Sequence, residues 1–179
     1  MMREVTFINQ SFPAEESEKV LRFQKEYMKD APRELGLISF FTALPDDESY
    51  PEKARGREAI VFYGIHSGDP SEGARIAAIL RSAGTVLSDL GGRIPYTDAQ
   101  KKLDEDYPDG MRYYWKSIFI NDLSEEVIGV LQESGTQRPS DLSTLDVWTL
   151  GAKTHGLDKN ENAFSSRDAE YMIAIEGNW

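Results

Sequence analysis

Two segments with period-two alternation constrain the fold of this chain most. Residues 111–120, MRYYWKSIFI, are rich in aromatic and β-branched side chains, and residues 171–179, YMIAIEGNW, close the chain. In the closing segment one face carries Tyr171, Ile173, Ile175 and Trp179, and the other carries Met172, Ala174, Glu176 and Asn178. Such alternation is typical of half-buried β-strands. The chain therefore needs a sheet with one covered face.

Amphipathic segments between the strands are predicted to form helices that cover this face. In one segment Asp69 or Ser71 can cap the helix, with Pro70 in the first turn. In another, Ser124 precedes an apolar stripe and can serve as the N-cap. Helices are predicted at 14–30, 69–84, 97–105 and 123–134. Strands are predicted at 35–44, 57–67, 111–120, 142–151 and 171–179, with loops at 87–96 and 152–168. The order predicts a single domain, 1–179, of the α+β class: an antiparallel sheet with helices packed on one face.

Composition excludes several kinds of function. The 179 residues include no cysteine, so disulfides, thiolate metal sites and thiol nucleophiles are excluded. The net charge of −11 opposes binding to nucleic acid, because nonspecific affinity comes from Lys and Arg. No segment approaches the roughly 20 apolar residues of a membrane span. The His, Asp and Glu residues lack metal-ligand spacing. We expect a soluble cytoplasmic protein with no nucleic-acid or membrane partner.

Charged residues suggest which face of the sheet is open. Arg112, Tyr114 and Lys116 alternate with apolar residues, and a charged set should not lie beneath helices. The same test places Asp146 and Trp148 on the open face, with Met172, Ala174, Glu176 and Asn178. One interpretation is a solvated face with cross-strand ion pairs. The other is a binding surface, because large apolar groups stand among the charges.

Candidate site residues follow from the second interpretation. Glu176 and Lys116 are the candidate acid and base, with Tyr114 as a hydrogen-bond donor. The candidate substrate-binding residues are Arg112, Asp146, Trp148, Met172 and Asn178. The alternative for Glu176 and Lys116 is a structural salt bridge across strands. His66 and His155 have no evident serine or cysteine partner, so nucleophilic catalysis has little support.

Three separated segments resemble, in the same order, the substrate-binding domain of berberine-bridge-type FAD-linked oxidases. They are GGRIPYTDAQKKLDEDYPDGMRYYWKS (91–117), RPSDLSTLDVWTLGAK (138–153) and AFSSRDAEYMIAIEGNW (163–179). The resemblance covers nearly the whole chain and implies an α+β domain. It also implies that the open sheet face covers the reactive flavin ring and shapes the substrate pocket. In the family a separate N-terminal domain holds the FAD, and a tyrosine-containing catalytic motif follows the substrate domain.

The chain departs from the family pattern at several positions. Thr149 and Ser166 stand where many relatives carry histidine, and Ala152 stands where relatives have a second glycine. Imidazoles are well suited to proton transfer near neutral pH, so oxidase chemistry by this chain alone is not expected. The GGR segment at 91–93 is predicted to be a turn and not a phosphate cradle. We therefore expect no cofactor, with FAD present only if a partner domain supplies it.

Three functions remain open on the sequence. One is a flavin-independent enzyme that binds a small organic molecule and catalyses cyclisation, isomerisation or dehydration in natural-product biosynthesis. Another is a binding or assembly module, a homodimer or a docking partner for a flavin domain, that covers Trp148 and Trp179. The last is the substrate-domain half of a split or truncated FAD-dependent oxidoreductase.

Overall fold

The structure, a computed structural model, describes residues 4–151, 166 and 168–179. The strands are β1 (Glu4–Pro13), β2 (Leu35–Ala43), β3 (Glu58–His66), β4 (Ser88–Asp89), β5 (Gly92–Pro95), β6 (Tyr113–Ile120), β7 (Thr144–Thr149) and β8 (Tyr171–Asn178). The α-helices are α1 (Ser17–Lys29), α2 (Pro70–Leu80), α3 (Tyr96–Ala99) and α4 (Glu125–Thr136). Short 3-10 turns lie at 14–16, 81–83 and 104–106.

All the strands join one antiparallel sheet. Its order is β4-β1-β3-β2-β7-β8-β6, and β5 pairs with β1 beside β4. The main core lies between one face of the sheet and helices α1, α2 and α4. Its largest buried side chains include Phe12, Phe41, Phe62, Leu21, Ile76 and Ile128. This arrangement confirms the predicted α+β class with helices on one face.

The predicted helix caps form. The Asp69 carboxylate accepts hydrogen bonds from the backbone N–H groups of Ser71 (2.8 Å) and Glu72 (3.2 Å), and Pro70 opens α2. The Ser124 hydroxyl oxygen accepts a hydrogen bond from the Val127 N–H at the start of α4 (3.3 Å). Each cap satisfies N–H groups that have no partner within the helix.

The sequence analysis missed strand β1, which pairs with β3 near the middle of the sheet. Polar residues interrupt its apolar pattern, and the structure explains one of them. Gln10 is buried, and its amide donates a hydrogen bond to the Ala77 carbonyl in α2 (2.9 Å). The segment 87–96, predicted to be a loop, contains β4 and β5, which are short and defined by their pairing with β1.

Part of the face away from the helices is also covered. A second cluster, formed by Leu44, Ala54, Ala59, Val61 and Leu87, lies against it, because Ala59 and Val61 alternate with the core residues of β3. The segment that follows β2 therefore covers the β2–β3 part of this face. The remaining part, formed by β7, β8 and β6, is called the open face below.

Candidate functional site

The β6–β8 pairing decides which side chains share the open face. Trp115 lies directly opposite Glu176, and Lys116 lies directly opposite Ile175. Ile175 projects to the same side of β8 as Ile173, which is part of the core beneath the helices. Residues directly opposite each other in an antiparallel pair project to the same side. Trp115 and Tyr113 are therefore on the open face, whereas Tyr114 and Lys116 are on the helix side.

The predicted orientation of Arg112, Tyr114 and Lys116 is therefore wrong. The prediction assumed that helices cover the whole width of the sheet, but β6 is an edge strand and is exposed on both sides: Tyr114 is 60% exposed and Trp115 54%. Lys116 stands on the helix side without being buried, 5.7 Å from the centre of the Tyr114 ring. Arg112 precedes β6, its side chain is exposed, and its backbone pairs with that of Trp179.

The proposed Lys116–Glu176 partnership fails for the same reason. The two side chains project to opposite sides of the sheet, so they form neither a salt bridge nor an acid–base pair. The five other candidates, Asp146, Trp148, Met172, Glu176 and Asn178, do share the open face, as predicted.

Asp146 and Glu176 form a buried carboxyl pair at the centre of the open face. Asp146 on β7 is 5% exposed, and Glu176 on the neighbouring strand β8 is 8% exposed. The groups lie close enough for the negative charge of Glu176 to raise the pKa of Asp146. Tyr107 donates its hydroxyl proton to Oε2 of Glu176 (2.7 Å). Oδ1 of Asp146 has no hydrogen-bond partner among the described residues.

The environment changes the ionisation of Asp146 and Tyr107. Burial raises the pKa of Asp146 to about 7, and the negative charge of Glu176 acts in the same direction, while the Thr144 hydroxyl and Trp148 indole oppose it. Burial and the Glu176 charge also raise the pKa of Tyr107, so its hydroxyl keeps its proton. Asp146 therefore gains and loses its proton near neutral pH.

Aromatic rings surround the pair. Tyr107, Tyr113 and Trp115 form a group called the aromatic cluster below, with the Tyr107 and Trp115 rings 5.4 Å apart and nearly perpendicular. Asn178 is buried and accepts a hydrogen bond from the Trp115 indole N–H (2.8 Å), and its own amide donates to the Leu142 carbonyl (2.9 Å). Asn178 thus orients Trp115.

The sequence analysis missed Tyr107, which follows a short 3-10 turn in an irregular segment. Neither a period of two nor a helical period marks such a position. It missed Trp115 and Tyr113 because the side of β6 was assigned incorrectly. The sequence DYPDG (106–110) could have indicated the position of Tyr107, because it predicts a turn that leads directly into β6.

Thr149 and His66 lie away from the pair. Thr149 is on the helix side, where its hydroxyl oxygen accepts a hydrogen bond from the Gln24 amide (3.0 Å). His66 is buried at the end of β3, and a Cβ on Gly73 would lie 3.0 Å from its Nδ1. The Ser166 carbonyl accepts a hydrogen bond from the Ala169 N–H (3.3 Å). Ala152 and His155 lie outside the described residues.

The turn predicted at residues 91–93 is wrong, because Gly92 and Arg93 belong to β5 and pair with Phe7 and Thr6 of β1. A Cβ on Gly91 would lie 2.6 Å from the Phe7 carbonyl oxygen. The N-terminus of α2 is occupied by its own Asp69 carboxylate. In the described part of the chain, we find no site suited to the phosphates of FAD. The half-exposed Trp148 and Met172 do offer an apolar surface that fits a planar ring.

A concave region lies on the helix side. It is a cavity of about 510 Å³ between α4 and the β6–β8 strands, with Ile118, Val130 and Ile175 among its lining residues. Glu176 also contributes to its lining. Within residues 4–151, 166 and 168–179 no cluster of three or more metal-ligating side chains occurs. No helix in the same ranges is long and apolar enough to span a membrane.

Comparison with known proteins places this geometry in context. No protein-family model matches the chain. A curated FAD-linked oxidoreductase of Dictyostelium discoideum is 24% identical over 166 residues, which are 90% of this chain and 34% of that protein. The chain therefore spans about a third of that relative's length.

Solved structures share the fold at low sequence identity. Berberine bridge enzyme from Eschscholzia californica superposes with a TM-score of 0.74 at 12% identity, covering 99% of this chain and 36% of that one. For 6-hydroxy-D-nicotine oxidase from Arthrobacter nicotinovorans the TM-score is 0.72 at 17% identity, with 99% and 38% covered. Glucooligosaccharide oxidase from Acremonium strictum gives 0.72 at 15% identity, with 97% and 37% covered. Nearly the whole chain thus shares its fold with one part of these FAD-linked oxidases, and that part is about a third of their length.

Proposed function

Because the fold corresponds to part of the FAD-linked oxidases, we propose that this chain, a partial homologue of their substrate domain, binds a small organic molecule on its open face. We further propose that Asp146 and Glu176 transfer protons to and from that molecule. The observation that carries the proposal is the buried carboxyl pair, in which the pKa of Asp146 is raised to about 7. A carboxyl group whose pKa is raised by burial and by a neighbouring acid is typical of acid–base catalysts.

The pair suits reactions in which one proton is removed and another is delivered. Asp146, whose pKa is raised to about 7, serves as the acid, and the Glu176 carboxylate serves as the base. Isomerisation, dehydration and cyclisation need both steps and no redox partner. The named relatives act on molecules as different as 6-hydroxy-D-nicotine and glucooligosaccharides. For this chain we propose a cytoplasmic role in natural-product biosynthesis.

Access to the pair requires a movement of Tyr107. Glu176 is 8% exposed, and the Tyr107 hydroxyl occupies one of its oxygens. The segment that carries Tyr107 is exposed at Asp106, Pro108 and Asp109, and Gly110 adopts a positive φ of 89°. A ligand that enters from this side displaces Tyr107 and packs against Trp115, with Trp148 and Met172 as further apolar walls.

A second candidate is the substrate-binding half of a flavin-dependent oxidoreductase. It is supported by the coverage of about 36% of known FAD-linked oxidases and by the apolar surface at Trp148 and Met172. A partner domain would hold the phosphates, and the flavin ring would rest on Trp148 and Met172 and supply a hydride acceptor. The open face would then be an interface, as it would in a homodimer. Such an interface covers Trp148 but not Trp179, which shares the side of Ile175.

Mass spectrometry of small molecules that copurify with the full chain tests the proposal. A released organic ligand with no flavin absorbance is expected, and its yield should fall several-fold in the W148A and E176Q variants. W179A is the control, because Trp179 (55% exposed) is more accessible than Trp148 (37% exposed) but projects to the helix side. Equal ligand yields from W148A, E176Q and W179A would contradict the open-face site. A yellow protein with flavin absorbance would favour the second candidate.

A further inference from the structure

We propose that Tyr107 is a positioning residue that assigns the roles within the carboxyl pair before a ligand enters, keeping the proton on Asp146 and the negative charge on Glu176. This inference deepens the proposed function and rests on it. The environment decides which of two neighbouring carboxyl groups carries a shared proton, because the unperturbed pKa values of Asp and Glu differ by only about 0.4. Here the contact that distinguishes them is the hydrogen bond from Tyr107 to Glu176. Tyr107 lies in an irregular segment outside the sheet, and not on β7 or β8.

The direction of the hydrogen bond carries the argument. The Tyr107 oxygen has one proton, and it is directed at Oε2 of Glu176 at 2.7 Å. A hydroxyl donor stabilises an ionised acceptor more than a protonated one, because hydrogen bonds to charged groups are about twice as strong. The contact therefore favours the carboxylate form of Glu176. The raised pKa of Tyr107 means that this donor persists across the physiological pH range.

The surroundings of Asp146 complete the asymmetry. Its Oδ1 is buried and has no hydrogen-bond partner in the described part of the chain. Loss of hydration at this oxygen favours the neutral form of Asp146 and outweighs the Thr144 and Trp148 side chains, which favour the carboxylate. The groups that act on the pair are Thr144 and Trp148 from β7, the charge of Glu176 from β8, and Tyr107 with the nearby Asp106 from the preceding segment.

The aromatic cluster holds the Tyr107 hydroxyl in position. Its ring contacts both Tyr113 and Trp115, and Asn178 in turn fixes the Trp115 indole. Tyr113 directs its own hydroxyl to the Pro108 carbonyl and not to a carboxyl group. The two tyrosines therefore share the same ring cluster but differ in the group that their hydroxyls contact. This difference makes Tyr113 a matched control for Tyr107.

Carbon-13 NMR titration of the full chain, labelled at Asp and Glu side-chain carboxyls, tests the inference directly. In the wild type, the Asp146 carbon is expected to show most of the titration near pH 7. In Y107F, the ratio of Asp146-protonated to Glu176-protonated forms should fall by about tenfold or more, since a hydrogen bond to the Glu176 anion is lost. Y113F should leave this ratio unchanged.

The inference is overturned if Y107F partitions the proton as the wild type does, or if Y113F changes the partition equally. If Y107F fails to fold, the wild type labelled at tyrosine Cζ gives a second measurement. The Tyr107 signal should follow the titration near pH 7 while that of Tyr113 does not, and a flat Tyr107 signal overturns the inference. Neither measurement uses a ligand, so failure of the proposed function, seen as the absence of an open-face ligand, is distinguishable from failure of this inference.

Discussion

Replacement of Asp146 by asparagine should change how the stability of the protein depends on pH. In the folded chain burial and the neighbouring Glu176 raise the pKa of Asp146 from 3.8 to about 7. Between these values the folded state binds more protons at this site than the unfolded state. The site's contribution to stability is therefore complete below about pH 4 and is lost as the pH rises toward 7. Asparagine cannot titrate, so D146N removes this dependence.

The magnitude follows from the pH interval. Each pH unit in which the folded state holds one additional proton changes the free energy of unfolding by about 1.4 kcal/mol. Between pH 5 and pH 8, the folded state holds the additional proton only up to its pKa of about 7, which is roughly two pH units. The stability of D146N relative to the wild type should therefore rise by about 2 to 3 kcal/mol from pH 5 to pH 8.

Urea unfolding of both proteins at pH 5 and pH 8 measures this difference. Comparing each variant with the wild type at the same pH cancels the contributions of the other titrating groups to stability. One of these groups is Asp69, whose pKa is lowered by its hydrogen bonds to Ser71 and Glu72, so that it stabilises the fold more as the pH rises. D141N is the control, because it makes the same chemical change at an exposed position. The reasoning is refuted if D146N and the wild type differ by the same free energy at both pH values.

Two further predictions concern packing and capping. G64A should destabilise the protein by about 1 to 3 kcal/mol in urea unfolding, because a Cβ there would lie 2.2 Å from the Gly36 carbonyl oxygen. G36A, with no atom within 4 Å of the new Cβ, should stay within about 0.5 kcal/mol of the wild type; equal effects would contradict this account. S124A should cost about 1 kcal/mol and accelerate hydrogen exchange at the Val127 amide, whereas unchanged exchange there would exclude the cap.

Much of the architecture could be predicted from the sequence because it depends on local spacing. The period of two in β8 places Glu176 and Asn178 on one side of the strand and Ile173 and Ile175 on the other, whatever surrounds it. The caps at Asp69 and Ser124 likewise depend on side-chain contacts only two or three residues away. The longer helices, five of the strands, the fold class and five of the open-face residues therefore followed from short stretches of sequence.

Strand β1 and the orientation of β6 depended on neighbours distant in sequence. Gln10 is tolerated in the middle of β1 because Ala77, from α2, accepts its hydrogen bond. A charged residue shows which side of a strand is exposed only where helices cover the other side. The helices leave Lys116 on the edge strand β6 uncovered, so its charge does not show which side of β6 is the open face.

The carboxyl pair is determined jointly by sequence and tertiary structure. Sequence alone places Asp146 and Glu176 on strands and assigns both to one face, because alternation along a strand is a local property. Only the tertiary structure brings β7 beside β8, buries both acids and positions Tyr107 over Glu176. Burial and the negative charge of Glu176 are what raise the pKa of Asp146, and both require parts of the chain that are far apart in sequence.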